Sequence, residues 1–244
     1  MRVRFAGSGD AFGSGGRWQT CIHLSGGGQV LLVDCGATSL VALKAQGLDP
    51  GAVGAVAVTH LHGDHFGGLP FLILDGQFSH RSAPLLVAGP PGTRARLNQA
   101  METLFPGSSR AHRGFPVEVS ELATDGTPAR LGAATVRGWE VEHACGAPPL
   151  ALRIDLGGAS FAYSGDTQWT PALAQAASGT DLFAVEAYTF DRPIRYHLDY
   201  QTMCGHLAEI GARRIVLTHM SAAMLSRLAD TELPAAYDGM TIDL

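Results

Sequence analysis

The densest chemistry in the chain lies at His60-Leu61-His62-Gly63-Asp64-His65, where four metal-ligand side chains fall within six residues. Imidazole nitrogens and a carboxylate are the donors that borderline divalent cations accept. Ligands that share one helix face recur at i, i+4, but here they sit at i, i+2, i+4 and i+5. That spacing suits a tight loop turning alternate side chains toward two different cations. Burying three imidazoles and a carboxylate this close together with no cation would leave several polar groups to satisfy. More ligand-type residues follow singly: His143, Asp166, Glu186, His197 and His219.

The elements around these residues share a placement. Val53 to Val58 is short, β-branched-rich and bounded by a polar loop, so it reads as a buried strand with His60 just past its end. His143 follows the strand Trp139–Val141. Asp166 follows a hairpin of Leu150–Leu156 and Ser160–Tyr163, with Gly165 allowing a sharp turn. Glu186 closes Asp181–Val185, and His219 closes Ile215–Leu217. Polar residues recurring at strand ends are what a metal site on one edge of packed sheets produces. Further strands read at Val3–Ala6, Cys21–Leu24, Val30–Val33, Leu85–Ala88, Phe115–Val119 and Ala133–Arg137, and the tail closes through Asp238-Gly239 into Thr241–Asp243. Helices read at Thr38–Gln46, from Phe71 onward, at Thr93–Leu104 capped by Thr93, and at Pro171–Ala177. Two more read at Tyr200–Ile210, capped by Asp199, and at Ser221–Leu228. The interleaving gives α/β or α+β, and with no linker in view, residues 1–244 are expected to form a single domain.

Other residues carry weaker signals. The glycine-rich run Gly7 to Gly16 matches no phosphate-binding fingerprint and reads as a flexible or mouth-lining turn, with Arg17, Trp18 and Thr20 as candidates for a substrate rim. Asp34 ends a strand, either as an acceptor that orients a ligand imidazole or as a turn residue. The stretch Pro106–Pro116, with Arg110, His112 and Arg113, reads as a solvated loop. His23, His80, His112 and His206 read as structural or exposed.

Composition narrows the partners. The chain has 244 residues, 46% hydrophobic and 16% charged, with ample capacity for a core. No apolar run approaches the ~20 residues of a membrane span, and no leader pattern opens the chain, so the expected location is cytoplasmic. Cys21, Cys35, Cys145 and Cys204 are scattered and read as reduced, mostly buried thiols. A net charge of −5 and a single lysine, Lys44, weigh against a long nucleic acid as partner.

Taken together, the His60–His65 segment, His143, Tyr163-Ser164-Gly165-Asp166-Thr167 and Leu217-Thr218-His219 resemble the signature of the metallo-β-lactamase superfamily, in its order, over nearly the whole chain. The resemblance implies a four-layer αββα sandwich. It also implies that His60, His62 and His143 hold one divalent metal, that Asp64, His65 and His219 hold a second, and that Asp166 bridges them. Zinc is the first expectation, with manganese or iron as alternatives. A histidine at the second ligand position points to hydrolysis, because the flavodiiron branch carries an acid there. Gly7-Ser8-Gly9, Asp34-Cys35-Gly36, Glu186-Ala187 and His197 are similar to the ribonuclease Z-like phosphodiesterase group. That likeness implies a Glu186–His197 pair acting on the leaving group, and a possible homodimer. The group usually has His-x-Thr where this chain has His197-Leu198-Asp199, and no long basic arm for tRNA is present.

The expected activity is therefore a dinuclear-metal phosphodiesterase acting on a small phosphodiester. Two metals ~3.5–4 Å apart would carry a bridging hydroxide and clamp a phosphoryl oxygen. Asp64 would orient the nucleophile or take its proton, and His197 would protonate the leaving group with Glu186 orienting its ring. A hydrolase of lactones, thioesters or other acyl bonds on the same site is the alternative. A metal-binding sensor without turnover is a third reading, and the complete ligand set argues against it.

Overall fold

Alternate residues of each strand face opposite ways, and this sorts the apolar side chains of the chain into three separate cores. The computed structural model describes all 244 residues. Its strands are β1 (Arg2–Gly7), β2 (Cys21–Gly26), β3 (Gln29–Val33), β4 (Val53–Ala57), β5 (Leu85–Gly89), β6 (Val117–Glu121), β7 (Ala129–Leu131), β8 (Ala134–Glu140), β9 (Leu150–Leu156), β10 (Ala159–Tyr163), β11 (Leu182–Glu186), β12 (Ile215–Thr218) and β13 (Thr241–Asp243). One sheet runs β13-β1-β2-β3-β4-β5-β6, the other β12-β11-β10-β9-β8-β7. Both are mixed: β3 through β6 pair in parallel, as do β10, β11 and β12, while the other neighbours are antiparallel.

Leu31 and Val33 of β3 face the second sheet, where they join Phe5, Ile22, Ile154, Phe161 and Tyr163 in the core between the sheets. Leu32, between them in sequence, points outward with Val56 and Val87 onto Leu43, Leu72, Ile73 and Leu97. Those last residues belong to α1 (Ser39–Ala45), α3 (Leu69–Phe78) and α4 (Thr93–Leu104), with the short α2 (Gly63–Phe66) before them. On the far side Ala162, Phe183, Val185 and Leu217 pack against Leu173, Met203 and Met224. These come from α5 (Pro171–Ala177), α6 (Tyr200–Gly205) and α7 (Ala222–Leu225). The layers are thus helix, sheet, sheet, helix, the αββα sandwich expected. Central strands buried on both faces also explain why Val53–Val58 is one continuous apolar run.

Several local expectations are corrected. The metal-ligand segment is not loop throughout: His62 is the N-cap of α2, so Asp64 and His65 ride on a helical turn. Gly92, in the left-handed region at φ 95°, caps α4, and Thr93 Oγ1 instead donates back to the Pro90 carbonyl at 2.6 Å. Ala133–Arg137 and Trp139–Val141 form the single strand β8, because Gly138 stays in register opposite Leu152. The expected helix Tyr200–Ile210 ends at Gly205, and Ser221–Leu228 shrinks to the one turn of α7, capped by Ser221. Of the residues expected at a substrate rim, Thr20 is buried and cannot line one, Arg17 Nη1 donates to the Ala236 carbonyl, and the Trp18 backbone amide donates to Asp238. Asp199 does cap α6, accepting from the Thr202 amide at 2.9 Å. All four cysteines are free, and only Cys204 is partly exposed. No helix is long and apolar enough to cross a membrane.

Candidate metal centre

Parallel strands deliver the chemistry to one edge. His60 follows β4, Asp166 follows β10, Glu186 ends β11 and His219 follows β12, all at carboxyl ends, where ligand crevices of parallel sheets lie. His143 arrives from the end of β8 and His197 from the long connection after β11. Two close approaches of backbone hold the metal-ligand segment in place. A Cβ on Gly36 would lie 2.2 Å from the Asp64 carbonyl oxygen of α2, and one on Gly165, at φ +61°, would lie 3.0 Å from the Leu150 carbonyl oxygen and 3.1 Å from the Thr59 side chain that precedes His60. Glycine is required at both.

The side chains fall into two adjoining clusters. Ligand atoms of His60, His62 and His143 lie within 4.8 Å of one another, as do those of Asp64, His65, Asp166 and His219. Asp166 lies between them. Its Oδ2 is 3.8 Å from His60 Nε2 and 4.0 Å from His143 Nε2, while its Oδ1 is 3.2 Å from His65 Nε2 and 3.4 Å from His219 Nε2. Within the clusters, ring nitrogens face ring nitrogens: His143 Nε2 is 3.1 Å from His62 Nδ1, and His65 Nε2 is 3.3 Å from His219 Nε2. Asp64 Oδ2 sits 3.2 Å from His65 Nε2 and 3.3 Å from His219 Nε2.

Surrounding hydrogen bonds decide which ring nitrogen is free. Asp34 is fully buried, at the strained φ of 60°. Its carboxylate accepts from the Thr59 amide at 2.7 Å, the Thr59 hydroxyl at 2.8 Å and His65 Nδ1 at 2.6 Å. Because the Thr59 proton goes to Asp34, the 3.0 Å contact between Thr59 Oγ1 and His60 Nδ1 requires the ring to donate. His60 Nε2 is then a buried lone pair with no hydrogen-bond partner. His143 Nδ1 likewise donates to the Tyr196 carbonyl at 3.0 Å, so its Nε2 faces His62. Such outer partners fix imidazole tautomers for coordination. Five imidazoles, one of them presenting the orphaned His60 Nε2, and two carboxylates form a donor set that fits divalent cations.

Electrostatics without the cations are strained in the same sense. Burial and the neighbouring His65 hold His60 well below the usual imidazole range. Burial alone would lower His65 and His219, yet the carboxylates overcome it: Asp166, Asp64 and Asp34 lift His65 well up, and Asp166 with Asp64 and Glu186 lifts His219 to about 10. Burial would raise Asp166 and Asp64, but the imidazoles beside them pull both below the carboxylate range.

A second pair adjoins these clusters. Buried Glu186 accepts a hydrogen bond from His197 Nδ1, accepts from the Thr167 and Leu198 amides, and lies 3.4 Å from His219 Nδ1. Burial acts to lower the His197 pKa, but the Glu186 bond and charge prevail and the net shift is upward. With Nδ1 committed, His197 Nε2 is the nitrogen left for the cavity. That cavity, about 200 Å³, is lined by His62, Asp64, His143, Asp166, His197 and His219, with Phe12 and Tyr188. Every residue singled out in the sequence as a candidate ligand or catalytic group is therefore gathered in one place. Unforeseen were Thr59 and Tyr196 as tautomer-setting partners, Glu186 in contact with His219, and Phe12 with Tyr188 in the wall. Only the glycines around Phe12 marked its loop in the sequence.

Comparison with known proteins places this geometry. A family model described as anti-Pycsar protein Apyc1 matches residues 1–233. A ribonuclease Z of Mycobacterium marinum is 30% identical over 225 residues, spanning 84% of this chain and 80% of that protein. The metallo-β-lactamase fold protein YhfI of Bacillus subtilis superposes with a TM-score of 0.80 at 18% identity, covering 99% of both chains. A diphosphatase of the PhnP family superposes with a TM-score of 0.77 at 17% identity, covering 100% of this chain and 97% of the other.

Proposed function

The chain belongs to the family described as anti-Pycsar protein Apyc1, within the ribonuclease Z-like part of the metallo-β-lactamase superfamily, and from that premise we propose that it is a dinuclear-metal phosphodiesterase for small phosphodiesters. It is a metal-dependent hydrolase. We assign His60, His62 and His143 to one ion, Asp64, His65 and His219 to the other, and Asp166 to both, with zinc as the first candidate.

A bound divalent pair supplies charge neutralisation for the phosphoryl group and acidifies water. The chain's own residues do the rest. Asp64, whose Oδ2 sits between His65 and His219, lines the cavity and orients the attacking water. His197 holds a proton at Nε2 and gives it to the leaving oxygen, with Glu186 keeping its ring oriented and charged.

The Glu186–His197 pair is the observation that carries this reading. A poor alkoxide leaving group needs a proton donor, and this pair brings its ligand-type atoms within 4.8 Å of those of Asp166 and His219 while we assign it to neither ion. Support for a small substrate comes from the 200 Å³ cavity, the net charge of −5 and the single lysine. Among the proteins it resembles, one is named for ribonuclease action and another for diphosphatase action. The test is turnover of bis(p-nitrophenyl) phosphate by Zn²⁺- or Mn²⁺-loaded protein, with Asp64→Ala as the blank. Turnover lost in the blank supports the proposal. No turnover with two metals demonstrably bound refutes it and moves the search to lactones and thioesters.

A further inference from the structure

A second, larger chamber of about 630 Å³ opens beside the metal cavity and shares two of its wall residues, Phe12 and Tyr188. Its walls are three connections: Asp10–Ser14 after β1, Tyr188–Ile194 after β11, and Ser221–Arg227 after β12. The last two begin within two residues of Glu186 and His219, so the chamber is in register with the centre.

We propose that this chamber is the leaving-group subsite, and that it takes a neutral planar aromatic substituent stacked on Phe12; the proposal rests on the phosphodiesterase reading above. Three observations converge on it. First, Tyr188 stacks on the His197 ring at 4.6 Å and lies 6.1 Å from His219. A group entering the chamber past Tyr188 therefore has its linking oxygen beside the proposed acid.

Second, Phe12 is a platform held ready. Its ring is 85% exposed, yet its backbone is pinned. Buried Asp10 accepts from the Phe12 amide at 3.2 Å, the Ser14 amide at 2.9 Å and the Ser14 hydroxyl at 2.7 Å, while Gln19 Nε2 donates to the Ala11 carbonyl at 3.0 Å. An exposed aromatic residue on a pinned backbone at the junction of two cavities offers a stacking face with little of its loop left to order.

Third, the charges in the wall cancel. Arg227 lies over the Phe190 ring at 3.9 Å and pairs with Asp191 and Asp230, and Asp10 is spent on its own loop. Arg192 is the one arginine of the wall with no ion-pair partner. A polyanion finds little there, whereas a flat uncharged ring finds Phe12, Tyr188 and Phe190. Hydrolysis then breaks the bond between phosphorus and the aromatic alkoxide. Water adds to phosphorus and releases a proton to solvent, and His197 Nε2 protonates the departing oxygen before regaining a proton from solvent.

The experiment compares two methyl diesters whose leaving groups have similar acidity, phenyl and hexafluoroisopropyl, in metal-loaded wild type, Phe12→Ala and Phe12→Trp. For the phenyl ester, kcat/KM is expected to fall roughly tenfold or more in Phe12→Ala and to return in Phe12→Trp. For the aliphatic ester it should change by less than about twofold. Equal losses for both esters, or none for either, overturn the subsite. If wild type cleaves neither ester, the phosphodiesterase reading is what has failed, and a crystal of the metal-loaded protein with phenylphosphonate decides the subsite. Its ring is expected against Phe12, and a ring lodged on the Tyr196 side refutes the proposal.

Discussion

Replacing Asp34 by asparagine should weaken one metal site and spare the other. Asparagine tolerates the left-handed φ of 60° and matches aspartate in shape, so backbone strain is not the perturbation. The amide oxygen can still accept from the Thr59 backbone. Its NH₂, however, then occupies the position of Oδ2, where both the Thr59 hydroxyl and His65 Nδ1 now donate. Two donors face a donor in a site with no water access. The low-energy escape for His65 is to move its proton to Nε2 and accept at Nδ1. That removes the lone pair which points at Asp64, Asp166 and His219.

Loss of such an orienting partner typically costs 10–100-fold in metal affinity, or about 1.4–2.8 kcal/mol. The leftover unpaired donor costs the metal-free protein a further ~1–3 kcal/mol of stability. Thr59 also bonds the His60 ring, so His60 is reached only indirectly, through a hydroxyl that can rotate. Calorimetric titration of the metal-free variant with Zn²⁺ is the assay. One equivalent should bind as in wild type and the second should weaken by one to two orders of magnitude. Two unchanged binding steps would refute the tautomer argument, and equal weakening of both would show that Asp34 supports the whole edge of the sheet.

Metal loading near pH 7 should release close to two protons, one each from His65 and His219, whose raised pKa values leave them charged in the metal-free state; calorimetry in buffers of different ionisation enthalpy counts them. The same shifts give a sign for stability. An imidazole raised from ~6.5 to about 10 contributes stability below pH ~6.5 that is lost as pH rises toward 10, so the metal-free Tm should fall across that window while metal affinity climbs. His197→Ala should keep its metal content, lose ~10²-fold in kcat on a phenyl ester, and lose far less on a p-nitrophenyl ester, whose leaving group needs no proton; equal losses would deny the acid role. Burial pushes Cys21 up to about 12 and Cys35 well above the usual thiol range, so a thiol reagent at pH 8 should modify Cys204 first and all four cysteines only after denaturation.

Donor identity is written locally, and that is why so much of the centre could be read before the fold. Histidine and aspartate just past apolar runs announced His60, His143, Asp166 and His219, and runs buried on both faces announced the central strands. Helix lengths were less legible. Gly205 inside an otherwise helical run ended α6 early, a cost of about 1 kcal/mol that neighbouring propensities did not offset. Asp34 stayed ambiguous because its meaning depends on a ring 31 positions away in sequence. Phe12 was marked only by the glycines of its turn, since exposure at the mouth of a cavity is a property of three loops that meet only in the fold.

Orientation, by contrast, is never local, and the chemistry depends on it. The nitrogen that His60 turns inward follows from where the Thr59 proton goes, which follows from the Asp34 carboxylate, which also fixes His65. One buried acid thus fixes the His65 ring directly and reaches the His60 ring only through the Thr59 hydroxyl, which can rotate. Swapping the metal-site residues into another αββα scaffold would then transfer the donors without the lone pairs, unless the counterparts of Asp34 and Thr59 came with them.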